Sequence, residues 1–483
     1  MKVLGISLAT IAWLTVTSPG AAQITEIIDA TGNGAGKMLD EPRGVAVDSS
    51  GNVYVAGRAT DNAFKITPAG AITEIIDAMG DGAGNTLNDP RGIAVDGSGN
   101  VYLAGAESDN AFKITPAGGI TEIIDSTGDG AGNMLDSAVG VAVGASGNVY
   151  VTGRFSNNAF RIAPDGTITE IIDATGDGLG NPLGFPIFIA VDAAENVYVP
   201  GNSSDNAFRI SPGGTITKLI DASGDGAGKV LTSPFGIAVD GLGNAYVAGG
   251  ASNNAFKITP GGGITEIIDA TGAGTGTSLS ASRDVAVDGA GAVYVAGGLS
   301  ANVFQVGPGD GICQIIDSTG NGSGHALAGT DDLAVDASGA VYVSGASSDN
   351  VFKVTLAEAS AEVVRLGLPP NPDVFKPGGT SGPVIGATWD PVIDHTTFLP
   401  TALVDMVGVT MLPTNLSLPP LGTLLCDIST EPLLFASSPG MPFAIEFPSD
   451  CSLVGVSLCS QGVSADGLTA ALTNALDITI GTF

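Results

Sequence analysis

A repeat of 48 residues dominates the chain and constrains its fold more than any other feature. The segment Ile24-Thr-Glu-Ile-Ile-Asp29 opens the series, and its spacing never slips over seven units. Repeats of this length are typical of solenoids and propellers, in which each unit buries its apolar faces against its neighbours. The later copies of the segment begin at Ile72, Ile120, Ile168, Ile216, Ile264 and Ile312.

Each unit contains four short apolar runs. In the second unit they are residues 92–96, 100–104, 110–115 and 120–124, with Gly-, Ser- and Pro-rich connectors between them. Runs rich in β-branched residues predict strands, and the connectors predict hairpin turns. The fold class predicted here is therefore all-β: a seven-bladed β-propeller with four strands in each blade, followed by a small β-sandwich.

Two aromatic positions recur in all seven units. Because a ligand site needs only one copy, we predict that these rings form the core between blades rather than an aromatic cage. The second run carries Tyr54, Tyr102, Tyr150, Tyr198, Tyr246, Tyr294 and Tyr342, and the third run carries Phe64, Phe112, Phe160, Phe208, Phe256, Phe304 and Phe352.

The segment of residues 90–104, Pro-Arg-Gly-Ile-Ala-Val-Asp-Gly-Ser-Gly-Asn-Val-Tyr-Leu-Ala, resembles the NHL repeat. The resemblance covers residues 24 to about 365. It implies a propeller that recognises protein, peptide, glycan or RNA. The third run reads Ser-Asp-Asn-Ala-Phe-Lys, which departs from the segment usual in that family.

Both ends of the chain predict export and a second domain. Residues 1–22 combine a lysine, a short apolar run and small residues before Ala22, which is typical of a signal peptide. We assign residues 23–365 to the propeller and residues 366–483 to a C-terminal β-sandwich, which resembles a terminal module of repeat-rich exported bacterial proteins. No later apolar run is long enough to span a membrane, so we expect a secreted or periplasmic monomer.

The ring needs one further strand, and two segments compete for it. The fourth run occurs eight times if the copy at residues 24–29 and the degenerate copy at residues 361–364 are both counted. Only one of these can complete the seventh blade. We predict that the N-terminal copy does so, because it fits the consensus and joins the two ends of the ring.

The charge of the chain excludes one class of partner. The sequence has 49 acidic and 17 basic residues, which give a formal net charge of -32. A phosphate backbone would be repelled over most of this surface, so we expect no nucleic-acid partner.

Four cysteines are present, and three of them lie near the C-terminus. In an exported chain we expect one disulfide among Cys426, Cys451 and Cys459, with the third thiol and Cys313 left over. The spacing does not determine which pair forms.

Catalytic motifs are scarce. The resemblance implies three enzyme classes with such propellers: streptogramin lyases, peptide-amidating lyases and calcium-dependent lactonases. The lyases require histidines near the channel, and this chain has only His325 and His395, which lie in a loop and in the C-terminal segment. We therefore predict that the chain is not an enzyme, with a metal-dependent lactonase or lyase as the alternative.

One Gly-rich loop resembles a calcium-binding loop. Asp125, Asp129, Asn133 and Asp136 place oxygen atoms at the spacing of such loops. Other copies carry Lys37, Lys229 or Ala273 at ligand positions, and Asp and Gly also serve turn geometry. We predict no cofactor, with calcium as the alternative.

Positions that differ among the units mark a candidate ligand-binding face. They precede the first strand or lie in the loop after the second strand, and these loops share one face of a propeller. We predict that this face binds an extracellular glycan, peptide or protein, in particular an amphipathic anion. Two alternatives are that the arginines pair with nearby loop acids, and that the chain is a structural spacer. The candidate residues are Arg43, Arg91, Arg283, Asp331, Val139, Ile187, Phe235, Arg154 and Phe155.

Overall fold

The structure is a computed structural model. It describes residues 23–274, 277–307, 311–356, 361–366, 371–377, 388–396, 398–399, 402–410, 413–418, 422–426, 433–446, 457–466 and 470–480. The predicted signal peptide, residues 1–22, and Cys451 lie outside the described residues. In the part that is described, every regular element is a strand, and no helix long and apolar enough to cross a membrane occurs.

Seven antiparallel sheets of four strands form the repeat region, and each sheet is one blade. The predicted all-β, seven-bladed propeller is therefore confirmed. The first strands are Pro42–Val47, Pro90–Val95, Ala138–Val143, Ala190–Val191, Pro234–Val239, Ser282–Val287 and Thr330–Val335. The second strands are Val53–Gly57, Val101–Gly105, Val149–Gly153, Val197–Gly201, Ala245–Gly249, Val293–Gly297 and Val341–Gly345.

The third and fourth strands follow the same register in each unit. The third strands are Asn62–Ile66, Asn110–Ile114, Asn158–Ile162, Asn206–Ile210, Asn254–Ile258, Asn302–Val306 and Asn350–Thr355. The fourth strands of blades 1 to 6 are Ile72–Ile76, Ile120–Ile124, Ile168–Ile172, Ile216–Ile220, Ile264–Ile268 and Ile312–Ile316. Blade numbers follow the order of the first strands along the chain.

The N-terminal segment completes the seventh blade. Strand Gln23–Ile28 pairs antiparallel with the third strand of that blade, from Gln23 opposite Thr355 to Ile28 opposite Val351. The prediction that the N-terminal copy takes this place is confirmed. The degenerate copy, Ala361–Arg365, instead pairs with the strand Ala470–Thr479.

The recurring aromatic rings are buried between blades, as predicted. Tyr102 of blade 2 and Phe160 of blade 3 belong to one core cluster. The buried Tyr102 hydroxyl donates a hydrogen bond to Asp96 at 3.0 Å, and burial raises the pKa of Tyr102. Each blade therefore joins the next through an apolar layer in which the buried tyrosine hydroxyl has a hydrogen-bond partner.

Blade 3 shows how the repeat compensates for a lost partner. Gly144 replaces the aspartate that accepts the tyrosine hydroxyl in the other blades. Glu195 of blade 4 takes over this role and accepts a hydrogen bond from Tyr150 at 2.8 Å. Glu195 also accepts one from the main-chain N–H of Ser146 at 2.9 Å. The tyrosine is kept satisfied by a residue from the neighbouring unit.

The C-terminal unit contains further strands. The propeller unit extends to Leu356, whereas the expected boundary was residue 365. The described C-terminal strands form one five-stranded antiparallel sheet in the order Ala361–Arg365, Ala470–Thr479, Ser457–Ala465, Val404–Thr410 and Leu433–Ser437. Shorter pairs join Phe375–Lys376 to Val392–Ile393, Thr388–Trp389 to Ile445–Glu446, and Pro413–Leu418 to Gly422–Cys426.

The disulfides correct one prediction. Cys426 and Cys459 form a disulfide with a Cα–Cα distance of 5.5 Å, in agreement with one bond among the C-terminal cysteines. Cys313 is also disulfide-bonded, so the expectation that it is left over as a free thiol is wrong. The spacing of the sequence could not reveal this because Cys313 lies in a propeller strand, far along the chain from the other three.

Candidate functional site

A cavity of about 440 Å³ opens at the mouth of the central channel. The residues that precede and begin the first strands form its wall, together with loop residues that follow the second strands. Eight of the nine predicted binding residues line it: Arg43, Arg91, Val139, Arg154, Ile187, Phe235, Arg283 and Asp331. The ninth, Phe155, is half exposed and contacts Arg154.

Two of the arginines are ion-paired, which is the alternative that the sequence left open. Arg43 donates a hydrogen bond to Asp331 at 2.9 Å, and Arg91 donates one to Asp89 at 2.8 Å. Glu41 and Arg58 link these pairs, because Arg58 contacts both Glu41 and Asp89. The result is a chain of alternating charges across blades 7, 1 and 2, in which each guanidinium is neutralised.

Arg154 and Arg283 differ from these two. Each guanidinium stacks on an aromatic ring: Arg154 lies 4.3 Å from the ring centroid of Phe155 and 5.2 Å from that of Phe185, and Arg283 lies 4.4 Å from that of Phe235. Neither makes an ion pair with a carboxylate in the described part of the chain. Burial and the nearby charge of Arg91 lower the pKa of Arg154. Two guanidinium groups therefore face the cavity without an ion pair of their own among the described residues.

A carboxyl pair lies in the part of the wall formed by blades 6 and 7, and its first member directly follows Arg283 in the chain. Asp284 of blade 6 and Asp332 of blade 7 stand where blades 1, 2, 3 and 5 have glycine, and they share a hydrogen bond. Asp332 accepts a hydrogen bond from the main-chain N–H of Val45 at 2.7 Å, and Asp284 accepts one from Leu333 at 3.0 Å. Each carboxyl thus reaches the first strand of the next blade around the ring.

Burial governs the protonation of this pair. It raises the pKa of Asp284 to about 6, and burial together with the charge of Asp284 raises the pKa of Asp332 well above the usual value. Two carboxylates this close cannot both ionise without a large cost, so the pair holds a proton in common. The hydrogen bond between the two side chains requires that proton.

The same side of the mouth carries further acids. A groove of about 450 Å³ is lined by Asp40, Glu41, Asp331 and Asp349, and it shares Arg43 with the cavity. Burial and the charge of Asp349 raise the pKa of Asp40. Blades 6, 7 and 1, which we call the closing side because the ring closes in blade 7, therefore contribute most of the acids around the mouth.

Blade 4 departs from the repeat at the cavity. Its first strand is only Ala190–Val191, whereas the other six first strands have six residues each. Pro200 lies in the neighbouring second strand and has no N–H to donate to the ladder. Phe188 occupies the repeat position at which blade 3 has Gly140. That position is crowded, because a Cβ added to Gly140 would lie only 2.5 Å from the carbonyl oxygen of Ile187. Residues 187–189 are left outside the strand and line the cavity.

The proposed calcium ligands take part in the turn itself. One oxygen of Asp125 accepts hydrogen bonds from the N–H and hydroxyl of Thr127, and Asp129 accepts bonds from Ala131 and Asn133. Asp136 is exposed at the end of the loop. No cluster of three or more possible metal ligands occurs among the residues that the structure describes.

Sequence reasoning missed Asp284, Asp332 and Phe188. The signal was available, because all three interrupt a position that is otherwise glycine in every unit. A glycine-to-aspartate change in a sequence is typical of an exposed turn, and only the closed ring shows that these two aspartates lie in the channel wall. The two histidines do not line the cavity, and His325 contacts Glu26 while His395 contacts Asp405.

Comparison with known proteins supports the fold. A family model described as "Beta-propeller repeat" matches residues 34–65 and 226–257. The chain is a repeat β-propeller. No curated protein matches it. A solved streptogramin B lyase aligns with a TM-score of 0.55 at 16% identity, over 69% of this chain and 98% of that one. Virginiamycin B lyase from Staphylococcus aureus aligns with a TM-score of 0.55 at 17% identity, over 69% and 99%.

These structures correct the prediction that the chain is not an enzyme. The propellers with which it aligns include lyases, so the scarcity of histidine-based motifs does not make this fold non-catalytic. At such low identity the likeness shows the fold alone, and it assigns neither a reaction nor a substrate to this chain.

Proposed function

We propose that the channel mouth of this repeat β-propeller binds a small amphipathic anion. Arg154 and Arg283 carry the proposal, because both face the cavity and neither is neutralised by a carboxylate of the described residues. A guanidinium stacked on an aromatic ring is held in place and keeps its hydrogen-bond donors for a planar anion.

The cavity suits a ligand with one apolar part. Phe185, Ile187 and Phe235 line the wall near these arginines. A volume of about 440 Å³ is within the range of small-molecule sites, which are concave, largely apolar and contain a few polar groups that orient the ligand. The apolar part of the ligand packs on these side chains, and its charge meets a guanidinium.

The test compares one acid with its neutral amide. N-acetylphenylalanine combines a carboxylate with an aromatic ring, and N-acetylphenylalaninamide lacks only the charge. In calorimetric titration of the purified protein, we expect the acid to bind and the amide to bind at least tenfold more weakly. The double variant Arg154→Ala, Arg283→Ala should weaken binding of the acid by about 100-fold, since each hydrogen bond to a charged group contributes about 1.5–3 kcal/mol.

The matched control is Arg161→Ala, Arg209→Ala. These two arginines lie on third strands and do not line the cavity. Their replacement changes the net charge by the same amount as the replacement of Arg154 and Arg283. If both double variants lose affinity equally, the effect is one of overall charge and the site is not at the mouth. Equal affinity of the acid and the amide would also contradict the proposal.

A second candidate function is catalysis in the same cavity, and the Asp284–Asp332 pair favours it. A protonated carboxyl in a cavity wall is a possible general acid, and its ionised partner a possible base. Streptogramins are reasonable first substrates because the aligned propellers are lyases for them. Cleavage by the wild type, detected by chromatography and lost in Asp332→Asn, would support this function, and intact substrate after long incubation would contradict it.

A further inference from the structure

The main-chain N–H of Ile189 in blade 4 is a hydrogen-bond donor at the cavity, and the equivalent N–H groups of two other blades show what it can bind. Ile189 lines the cavity and lies outside the shortened first strand. In the described part of the chain, no acceptor takes a hydrogen bond from its main-chain N–H. An N–H group in a protein wall normally has a partner, so this donor is available to a ligand.

Two other blades show what fits this position. Val45 of blade 1 and Leu333 of blade 7 stand at the same place in the 48-residue repeat as Ile189. The N–H of Val45 donates to a carboxylate oxygen of Asp332 at 2.7 Å, and that of Leu333 donates to Asp284 at 3.0 Å. In both cases the carboxyl comes from the glycine position of the preceding blade. At two of the seven copies of this position, a carboxyl oxygen of the protein itself accepts the hydrogen bond from the N–H.

Blade 4 lacks the corresponding internal carboxyl, as do blades 2, 3 and 5. Blade 4 differs from those three because residues 187–189 lie outside its first strand and line the cavity together with Arg154. The preceding blade has Gly140 at that position, so no side chain reaches the N–H of Ile189 from there. Arg154 lies on the same side of the mouth: its guanidinium is 5.2 Å from the ring of Phe185, and Thr152, two residues before it, donates a hydrogen bond to the carbonyl of Ile187 at 3.3 Å. An N–H without an acceptor and a guanidinium without an ion pair, both judged among the described residues, thus line the same cavity.

We propose that the N–H of Ile189 and the guanidinium of Arg154 bind the carboxylate of the ligand, so that the ligand of this propeller is a carboxylic acid. This inference rests on the proposed anion site and names its chemistry. The carboxylate takes the position at blade 4 that Asp332 takes at blade 1. Phe188 and Ile187 pack against the apolar group beside it.

The first experiment removes only the N–H. Incorporation of the α-hydroxy analogue of isoleucine at position 189 replaces the amide by an ester and keeps the side chain. We expect N-acetylphenylalanine to bind about tenfold more weakly or worse, because one hydrogen bond to a charged group is lost. The same replacement at Ile237, the corresponding residue of blade 5, is the matched control and should change the affinity less than threefold.

The second experiment supplies the missing internal carboxyl. Gly140→Asp should place a carboxylate on the N–H of Ile189, as Asp332 does for Val45, and so exclude N-acetylphenylalanine. The added Cβ lies 2.5 Å from the carbonyl of Ile187, so residues 187–189 must shift. Asp284 and Asp332 demonstrate that this position of the repeat accepts aspartate. Gly140→Ala introduces the same Cβ without the charge. We expect the alanine variant to bind N-acetylphenylalanine more tightly than the aspartate variant does.

The outcomes separate this inference from the proposed function. If wild-type protein binds the acid and the arginine variants weaken it, but the ester at position 189 changes nothing, the anion site stands and its contact with Ile189 is wrong. If the acid does not bind wild-type protein at all, both fail. Benzenesulfonate binding as tightly as the acid would overturn the choice of carboxylate.

Discussion

The two sides of the channel mouth are built from the same repeat but use their polar groups differently. On the closing side, blades 6, 7 and 1, two carboxyls are bonded to main-chain N–H groups of the next blade, and Arg43 is bonded to Asp331. On the opposite side, blades 3 and 4, Arg154 has no carboxylate partner and the N–H of Ile189 has no acceptor among the described residues. Arg283 of blade 6 is the exception on the closing side, because it stacks on Phe235 and has no ion pair among the described residues. The other polar groups that join blades on the closing side have counterparts on the opposite side that are left for a ligand.

The largest effect is expected where the ring closes. Deletion of residues 23–28 removes the outer strand of blade 7 and exposes the apolar surface that it covers. We expect the melting temperature of the propeller to fall by about 5 °C or more, since burial of a few apolar side chains contributes several kcal/mol. All seven tyrosines lie in second strands of the propeller, so the near-ultraviolet tyrosine signal reports this transition.

The control for this deletion is the competing segment. Residues 361–365 resemble the deleted strand but pair with the strand Ala470–Thr479 in the C-terminal unit. Their deletion should leave the tyrosine transition unchanged and alter the fluorescence of Trp389, which is buried in that unit. An equal loss of propeller stability in both deletions would mean that the N-terminal strand has no special role in closure.

An intermediate effect is expected from the carboxyl pair, through pH. Folding raises the pKa of Asp284 from 3.8 to about 6, so the folded state holds the proton more tightly than the unfolded state. The pair therefore destabilises the folded state increasingly as pH rises from about 4 towards 6 and above. In Asp332→Asn, the amide oxygen can still accept from Val45 and the amide NH₂ can donate to Asp284. Relative to the wild type, this variant should gain stability as the pH rises from 4 to 7, by about 1.4 kcal/mol for every unit by which the substitution lowers the raised pKa of the pair.

The measurement is the free energy of unfolding of both proteins at each pH, from denaturant titrations. Asp136→Asn is the control, because Asp136 is exposed and far from the pair in the sequence. Its difference from the wild type should not depend on pH in this way. A wild type and an Asp332→Asn variant with parallel profiles would show that the pair does not share a proton.

The repeat predicted most of the fold but only part of the mouth. The 48-residue spacing, the Gly-rich turns and the tyrosine and phenylalanine positions were sufficient for the blades, their core and the closing strand. They also predicted which residues line the cavity, because those residues vary while the strands around them do not. Which arginines are neutralised could not be predicted, since Asp331 reaches Arg43 from the neighbouring blade 7, 288 residues away along the chain. The short first strand of blade 4 depends on Pro200 and Phe188 together, and neither alone indicates an open wall.

The smallest effect is expected on the stability of the protein when an ion-paired arginine or a stacked arginine is replaced by alanine. Arg91→Ala removes a partner from Asp89, whose side chain is only 7% exposed, although Arg58 still donates to it at 2.8 Å. We expect a loss of about 1 kcal/mol, since a buried carboxylate is left with fewer hydrogen bonds. Arg154→Ala removes a stacked guanidinium and leaves no carboxylate behind, so the loss should stay within about 0.5 kcal/mol. Removal of like charge near Arg91 offsets part of the lost stacking.

This difference is measured by thermal unfolding of both variants in low salt and again in 0.5 M sodium chloride. Salt screens a partly buried ion pair only in part, so the loss in Arg91→Ala should become slightly smaller in high salt while the small effect in Arg154→Ala stays nearly constant. The comparison between the two sides of the mouth predicts that Arg154→Ala is the more harmful variant for binding of N-acetylphenylalanine and the less harmful one for stability. If Arg154→Ala instead unfolds more readily than Arg91→Ala, then Arg154 serves to hold blades 3 and 4 together, and the two sides of the mouth do not differ in the way proposed.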